Sequence, residues 1–372
     1  MNFIIGILFS LVMVIILVLI PWVGVWVFDL SFLFGVVIPY AAIIIFVFGI
    51  IIRVIDWARS PTPFRIPTTA GQQKSFPWIK YNRVDNPSGT LGVIVRMFFE
   101  VLLFRSLFRN TGLKFKQGPK ITYEWEKWLW IAALAFHYSF LVVLLRHLRF
   151  FTEPIPFFVH WIESLDGLME VGIAPFAGFG VPGILISGFL LLAALVYLFL
   201  RRLYIPQARY ISLPSDYFPL FLIIGIATTG VMMRYMGVFM QFVFKVDWFT
   251  VQVIQVKELA MGLVTFHPKV PEGIGVLFFI HLFLFCTLIA YFPFSKLMHM
   301  GGIFLSPTRN LSNNSRIARH INPWDYPVKT HTYDEYEEEF RDKMIEVGIP
   351  VEKMPEAEPE DEAASQEEVE KE

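Results

Sequence analysis

Cysteine is all but missing from this sequence, with Cys286 alone among 372 residues. One thiol excludes an intrachain disulfide, an iron–sulfur cluster held by this chain alone, and the CxxCH attachment of a c-type heme. Charge is scarce as well, at 17% of residues, against about 25% in soluble domains. No internal repeat is visible, and no stretch has the composition of a soluble domain of ordinary size. Apolar residues take the place of charge, at 55%, with 39 phenylalanines. Such a surplus needs lipid to cover it, which excludes a soluble globular enzyme. The formal net charge of -1 hides an asymmetry. From Tyr333 onward there are 17 acids and 4 bases, leaving 27 bases and 15 acids before it.

A spanning helix needs about 20 mostly apolar residues. Six stretches qualify, at Phe3–Val27, Phe32–Val54, Trp128–Phe150, Pro182–Leu200, Tyr217–Phe239 and Ile274–Met300. The first has no basic leader and no small-residue cleavage site, so it is read as a retained helix and not a signal peptide. Lys and Arg set orientation. Ala58–Glu126 carries eleven of them against four acids, and Arg201, Arg202 and Arg209 follow the fourth span. Phe151–Val181 carries none, with Glu153, Glu163, Asp166 and Glu170. The basic segments belong in the cytoplasm and the acidic one outside, with both termini inside a cell (inner) membrane.

The sequence therefore predicts an all-α integral membrane protein of about six helices. Residues 1–31 form an extra N-terminal helix and 32–300 the main membrane domain. Residues 55–127 form a basic inner loop. Within it, 91–110 is apolar but broken by Arg96, Glu100, Arg105 and Arg109. That pattern suits an amphipathic helix on the inner leaflet. Residues 301–351 read as a cytoplasmic tail that docks a partner. Residues 352–372 read as an acidic disordered end.

Of eight histidines, His137, His147, His281 and His299 fall inside spans, two on the third and two on the sixth. Ionisable residues in a membrane are expensive and mark function. His137 and His147 are ten residues apart, about 15 Å along an axis, and His281 and His299 are eighteen apart, about 27 Å. The two helices run in opposite directions, so His137 pairs with His299 on the inner side and His147 with His281 on the outer side. Each pair can hold one heme iron through neutral imidazoles. The mismatch of about 12 Å must be absorbed by tilt and a kink at Pro293. A transporter passing protons along the histidines is the rival reading, and a passive membrane anchor a third. Arg146 and Arg149 flank His147, and Arg234 ends the fifth span on the same side. All three suit heme propionates or a quinone carbonyl; snorkelling to lipid phosphate is the bland alternative. His160 and His267 near the outer side could take protons, whereas His320 and His331 lie in the polar tail.

The stretch HLFLFCTLIAYFPFSKLMHM, with its His–PF[ST][KR]L–His pattern, resembles the last helix of the nitrate reductase gamma subunit family. The ten-residue histidine spacing matches that family's other ligand pair, and the resemblance covers roughly Phe32 to Thr308. It implies a diheme cytochrome b bundle with two b hemes, a quinol site near the outer heme, and ligand roles for His137, His147, His281 and His299. IPTTAGQQKSFPWIK, EVLLFRSLFRNT, RHLRFFTEP, RYISLPSDYFPLFLI, KELAMGLVTFHP, GGIFLSPTRN and NPWDYPVK are similar to a narrower group, DsrM. Those are the cytochrome b subunits of the sulfite-reduction-associated DsrMKJOP membrane complex. This resemblance implies electron exchange between menaquinol/menaquinone and a cytoplasmic iron–sulfur subunit related to heterodisulfide reductase, in dissimilatory sulfur metabolism. It further implies other membrane and periplasmic electron-transfer subunits as partners, and no nucleic acid. A gamma subunit of a nitrate-reductase-type complex stays open beside it. In either case the chain is the quinone-reactive part of an oxidoreductase and not catalytic alone.

Overall fold

A computed structural model describes residues 3–60, 62, 71–116, 118, 120–168, 184–244, 251–318, 327 and 329–354. Glu170, His320 and residues 355–372 of the acidic end lie outside the described residues. The chain opens with α1 (Phe3–Trp26) and α2 (Ile38–Ala58), the latter entered through a π-turn at Leu33–Val37. On the basic side follow α3 (Thr90–Leu103), the short α4 (Arg105–Phe108) and a hairpin of β1 (Thr111–Lys116) and β2 (Lys120–Trp125). Next come α5 (Lys127–His147), α6 (Phe157–Asp166), a two-residue pairing of β3 (Gly167–Leu168) with β4 (Ile184–Leu185), and α7 (Ile186–Tyr204). Then α8 (Pro206–Ile211), α9 (Pro214–Phe244), α10 (Val253–Val264), α11 (Val276–Tyr291) and α12 (His299–Leu305) run in order. The series ends with α13 (Ser315–Ala318) and α14 (Tyr333–Glu346).

All six expected spans are present as helices long and apolar enough to cross a membrane: Phe3–Trp26, Leu33–Ala58, Lys127–Phe150, Ile186–Tyr204, Pro214–Met236 and Val276–Phe294. The chain is a multi-pass, all-α membrane protein. The spans pack α5 on α7, α7 on α9, α2 on α11, and α1 on both α9 and α11. One core cluster joins Val14 of α1 to Leu191 and Leu195 of α7, Leu222 and Ile223 of α9, and Ile280, Leu284 and Leu288 of α11. The first helix is thus part of the core and not an appendage. A second cluster, with Phe150 at the end of the third span packed against it, gathers Phe34, Val36, Val256, Leu259, Phe278 and Phe279. Outward apolar residues such as Ile44, Phe48 and Ile52 stay exposed, as a lipid-facing surface requires.

The sixth span is not one rod. α11 ends at Tyr291, two 3₁₀ turns occupy Phe292–Phe294 and Lys296–Met298, and α12 restarts at His299. Pro293 has no N–H to continue the ladder, and the Ser295 hydroxyl accepts from the Leu297 amide instead (3.1 Å). Pro293 is buried against Gly49 of α2. A Cβ on Gly49 would come 2.8 Å from the Pro293 Cβ, so only glycine lets the two backbones approach this closely.

On the basic side the amphipathic helix is shorter than expected. It stops at Phe104, which adopts a left-handed conformation (φ +49°), and a separate turn carries Arg105 and Arg109. Arg96 and Glu100 are buried, while Leu91, Ile94, Phe98 and Leu102 are exposed, so α3 turns its apolar side outward. Its last carbonyls are not left orphaned. Trp130 Nε1 donates to Leu103 O (2.7 Å) and Tyr138 Oη to Leu102 O (2.8 Å), which fastens α3 to α5. Asp85 accepts from Arg105 (2.8 Å) and Arg109, and Glu100 accepts from Ser106 and Arg309. Asn313 bonds Pro87 O and Asn86 (both 2.7 Å). Residues 301–316 are therefore packed into the main body, not a free tail; a separate unit begins at Ile317. In that unit a capping box of Thr332 and Glu335 starts α14. The Glu337 carboxylate accepts from the amides of Glu352 and Lys353 (2.8 Å each), so the start of the 352–372 segment is held in place.

Candidate functional site

The four in-span histidines meet in two pairs. His137 of α5 and His299 at the start of α12 have ring centroids 6.0 Å apart and planes at 89°. His147 at the end of α5 and His281 of α11 have centroids 6.4 Å apart and planes at 13°. The restart after Pro293 brings this about. It lets His299 come under His137 although α5 spaces its histidines by only ten residues.

Each Nδ1 is already engaged. His137 donates to Ala133 O (2.7 Å), His147 to Val143 O (2.7 Å) and His299 to Lys296 O (2.9 Å). His281 Nδ1 lies 2.9 Å from the Thr229 hydroxyl of α9. A proton held on Nδ1 leaves the Nε2 lone pair as the metal-binding position. Two metal–nitrogen bonds of about 2.0 Å plus the half-widths of two imidazoles span about 6 Å, so both gaps have the width of one axially held ion. Two ligands are too few for a bare ion, and among the described residues no group of three or more His, Cys, Asp or Glu could hold one. The donor set instead fits a metal that brings its equatorial ligands in a macrocycle, as heme iron does. Aromatic rings stand around the His137–His299 pair, with Phe104 and Phe136 each 4.9 Å from His137. The left-handed Phe104 thus carries α3 to the histidine.

Near the other pair the arginines are tied to protein carboxylates. Arg146 bonds Asp166 (2.7 Å) and Ser187 (3.2 Å), and Asp166 also accepts from the amide (2.7 Å) and hydroxyl (2.6 Å) of Ser187. Arg149 pairs with Glu163 (2.7 Å), and Lys257 with Glu153. Arg234 lies over the Tyr235 ring, 5.8 Å from its centroid. Glu153, Glu163 and Asp166 thus carry cations, and Arg146 and Arg149, two of the three arginines expected beside propionates, have partners of their own. His160 and His267 are exposed and join neither pair, and His331 lies 4.0 Å from Glu335. Thr229, Ser187 and Phe104 carry no signal that the sequence analysis used, and the tie of Asp166 to Arg146 is visible only in the fold. A threonine pair inside an apolar span, ATTGV, was the one signal available for Thr229.

Residues 96–320 match the nitrate reductase gamma subunit family. The chain is 44% identical over 300 residues to the Hdr-like menaquinol oxidoreductase cytochrome b-like subunit of Archaeoglobus fulgidus, covering 79% of this chain and 83% of the relative. The protein of the same name from Archaeoglobus profundus is 41% identical over 334 residues, 83% of this chain and 93% of the relative. The respiratory nitrate reductase 1 gamma chain of Escherichia coli is 27% identical over 234 residues, 56% of this chain and 92% of the relative.

Proposed function

We propose, from the premise that the chain belongs to the nitrate reductase gamma subunit family, that it is the diheme b cytochrome of a respiratory complex. His137 with His299 and His147 with His281 would hold the two irons, the pairs at 6.0 and 6.4 Å being the observation that carries the reading. Heme b supplies reversible one-electron chemistry when bound. The chain's own residues do the rest. Nδ1 hydrogen bonds fix the tautomers, the apolar spans exclude water, and α5 sets the two sites roughly 15 Å apart. On this reading the acidic loop 151–181 faces outside, and there Arg146, Arg149 and Arg234 would offer nitrogens to propionates or a quinone carbonyl.

The menaquinol in the names of the Archaeoglobus relatives supports menaquinone as the membrane substrate. Their Hdr-like label supports a cytoplasmic iron–sulfur partner of the heterodisulfide reductase kind. We place that partner on the basic side, at the loop 55–127 and residues 301–316, where Phe104 at the end of α3 lies 4.9 Å from His137. The narrower DsrM-like motifs support a role in dissimilatory sulfur metabolism. A proton transporter is disfavoured, because the histidines stand in two pairs rather than in single file.

The test is spectroscopic. The purified chain should show b-type bands and, by pyridine hemochrome, about two hemes. His147→Ala or His281→Ala should remove mainly the outer heme, and His137→Ala or His299→Ala mainly the inner one. Unchanged heme content and potentials in His137→Ala would refute the assignment.

A further inference from the structure

We infer that Thr229 is a positioning residue that sets the electron affinity of the outer site by holding the His281 imidazole. This rests on the ligand reading above. Three of the four histidines donate Nδ1–H to a main-chain carbonyl of their own segment, three or four residues back. His281 alone reaches across a helix interface, from α11 to a side chain on α9. The direction of that bond follows from the neighbouring one. Thr229 carries a single hydroxyl proton, and its oxygen is 2.8 Å from Gly225 O and 3.0 Å from Ile226 O. That proton therefore points back to α9's own carbonyls, as helical threonines commonly arrange it. Toward His281 the oxygen can only accept, so the imidazole proton sits on Nδ1 and Nε2 is left as ligand.

The residue after it completes the fit. Gly230 faces the same ring, and a Cβ there would come 3.3 Å from His281 Cε1. The pair Thr229–Gly230 thus presents one acceptor and one bare stretch of backbone to one edge of the imidazole. Thr229 is 8% exposed, so water is poorly placed to replace its hydroxyl. An acceptor on Nδ1–H makes the ring a stronger donor to the ferric ion, and its removal favours the ferrous state. It also restrains the ring plane, which lies within 13° of the His147 plane. The two sites differ in this respect. The inner pair is held only by carbonyls, which no side-chain substitution removes; in the outer pair His147 rests on the Val143 carbonyl, and His281 faces the Thr229 hydroxyl beside the Ile226 carbonyl of α9, so only there can a side-chain substitution change what the ring proton meets.

The experiment uses the full chain in its native membrane complex, with redox titration, heme assay and low-temperature EPR of the ferric hemes. Thr229→Val keeps the branched shape and loses the acceptor. It should retain both hemes, shift the outer midpoint upward by up to about tenfold in the ferrous-to-ferric ratio (about 59 mV for one electron), alter the outer EPR signal and leave the inner heme unchanged. Thr229→Ser, which keeps the hydroxyl, should titrate as the parent does. If the Val variant assembles poorly, Thr229→Ala serves in its place. Loss of the outer heme from both Val and Ala variants, with retention in Ser, would support the inference in stronger form. Two retained hemes with unchanged midpoints in Thr229→Val would overturn it while leaving the ligand assignment intact. Full heme content in His281→Ala would instead overturn the assignment itself.

Discussion

Arg146 is one residue from His147 of the His147–His281 pair, and the structure commits it to a buried carboxylate. Its side chain is 15% exposed and that of Asp166 is 6% exposed, with Ser187 closing the network. Removing one partner of such a pair strands a charge in apolar surroundings and costs about 3–5 kcal/mol, whereas replacing both by apolar residues is often neutral. Asp166→Leu should therefore lower the thermal stability of the detergent-solubilised protein more than the double change Arg146→Leu with Asp166→Leu. Single and double variants melted side by side would check this, and equal losses would mean the pair contributes little. The acids and arginines of this region were visible in the sequence, but which of them meet was not. Arg146 and Asp166 are twenty residues apart and Ser187 a further twenty-one, and only the packing of α5, α6 and α7 joins them.

Among the elements, the interrupted sixth span matters most for the site. The sequence carried its cause, Pro293, and the misfit of about 12 Å between histidine spacings that follows from helix rise. What it did not show was the receiving surface, Gly49 on a helix more than two hundred residues earlier. Gly49→Ala should push α2 away from the break and displace His299. The expected result is reduced inner-heme occupancy with the outer heme retained, read by redox titration; an unaltered inner heme would mean that α2 yields easily. At the far end of the chain, the Glu337 carboxylate is held below the usual range by the amides of Glu352 and Lys353 and by Arg341. A lowered folded pKa means the contribution is present above the unfolded value of about 4.3 and is lost as pH falls through the folded one. The protection of the Glu352 and Lys353 amides, measured as exchange relative to the intrinsic rate at each pH, should therefore fall on acidification below that range. Glu337→Gln should show faster exchange already at neutral pH, because a neutral acceptor holds amides less strongly.

For the whole molecule, two histidine pairs set at different depths along α5 would, on the proposed diheme reading, give electrons a path across the membrane. If quinol is oxidised at the outer pair, its protons leave outside and its electrons run inward. Each charge carried across the full membrane is worth about 2.3 kcal/mol per 100 mV. Turnover of the assembled complex in vesicles, with quinol as donor, should build a potential negative inside, seen with a voltage-sensitive dye. It should slow against an imposed potential of the same sign. Electron flow without a potential would rule out quinol oxidation at the outer pair, as would a quinone analogue that perturbs only the inner heme.

Span number and helical class were legible in the sequence because lipid demands long, uninterrupted apolar runs, and that demand is local. The four histidines were legible for the same reason, since a titratable group in such a run is conspicuous. Pairing by opposite helix direction needed only the order of the spans. The remainder depended on where distant segments meet. Helix rise alone could not show that α3 turns its apolar side outward and that Arg96 and Glu100 face inward. Nor could it show that residues 301–316 fold back through Asn313 and Arg309, or that α9 offers a hydroxyl to His281. Those contacts join residues between 52 and 227 positions apart. Their energies arise from packing and from satisfying buried polar groups, which no local pattern encodes.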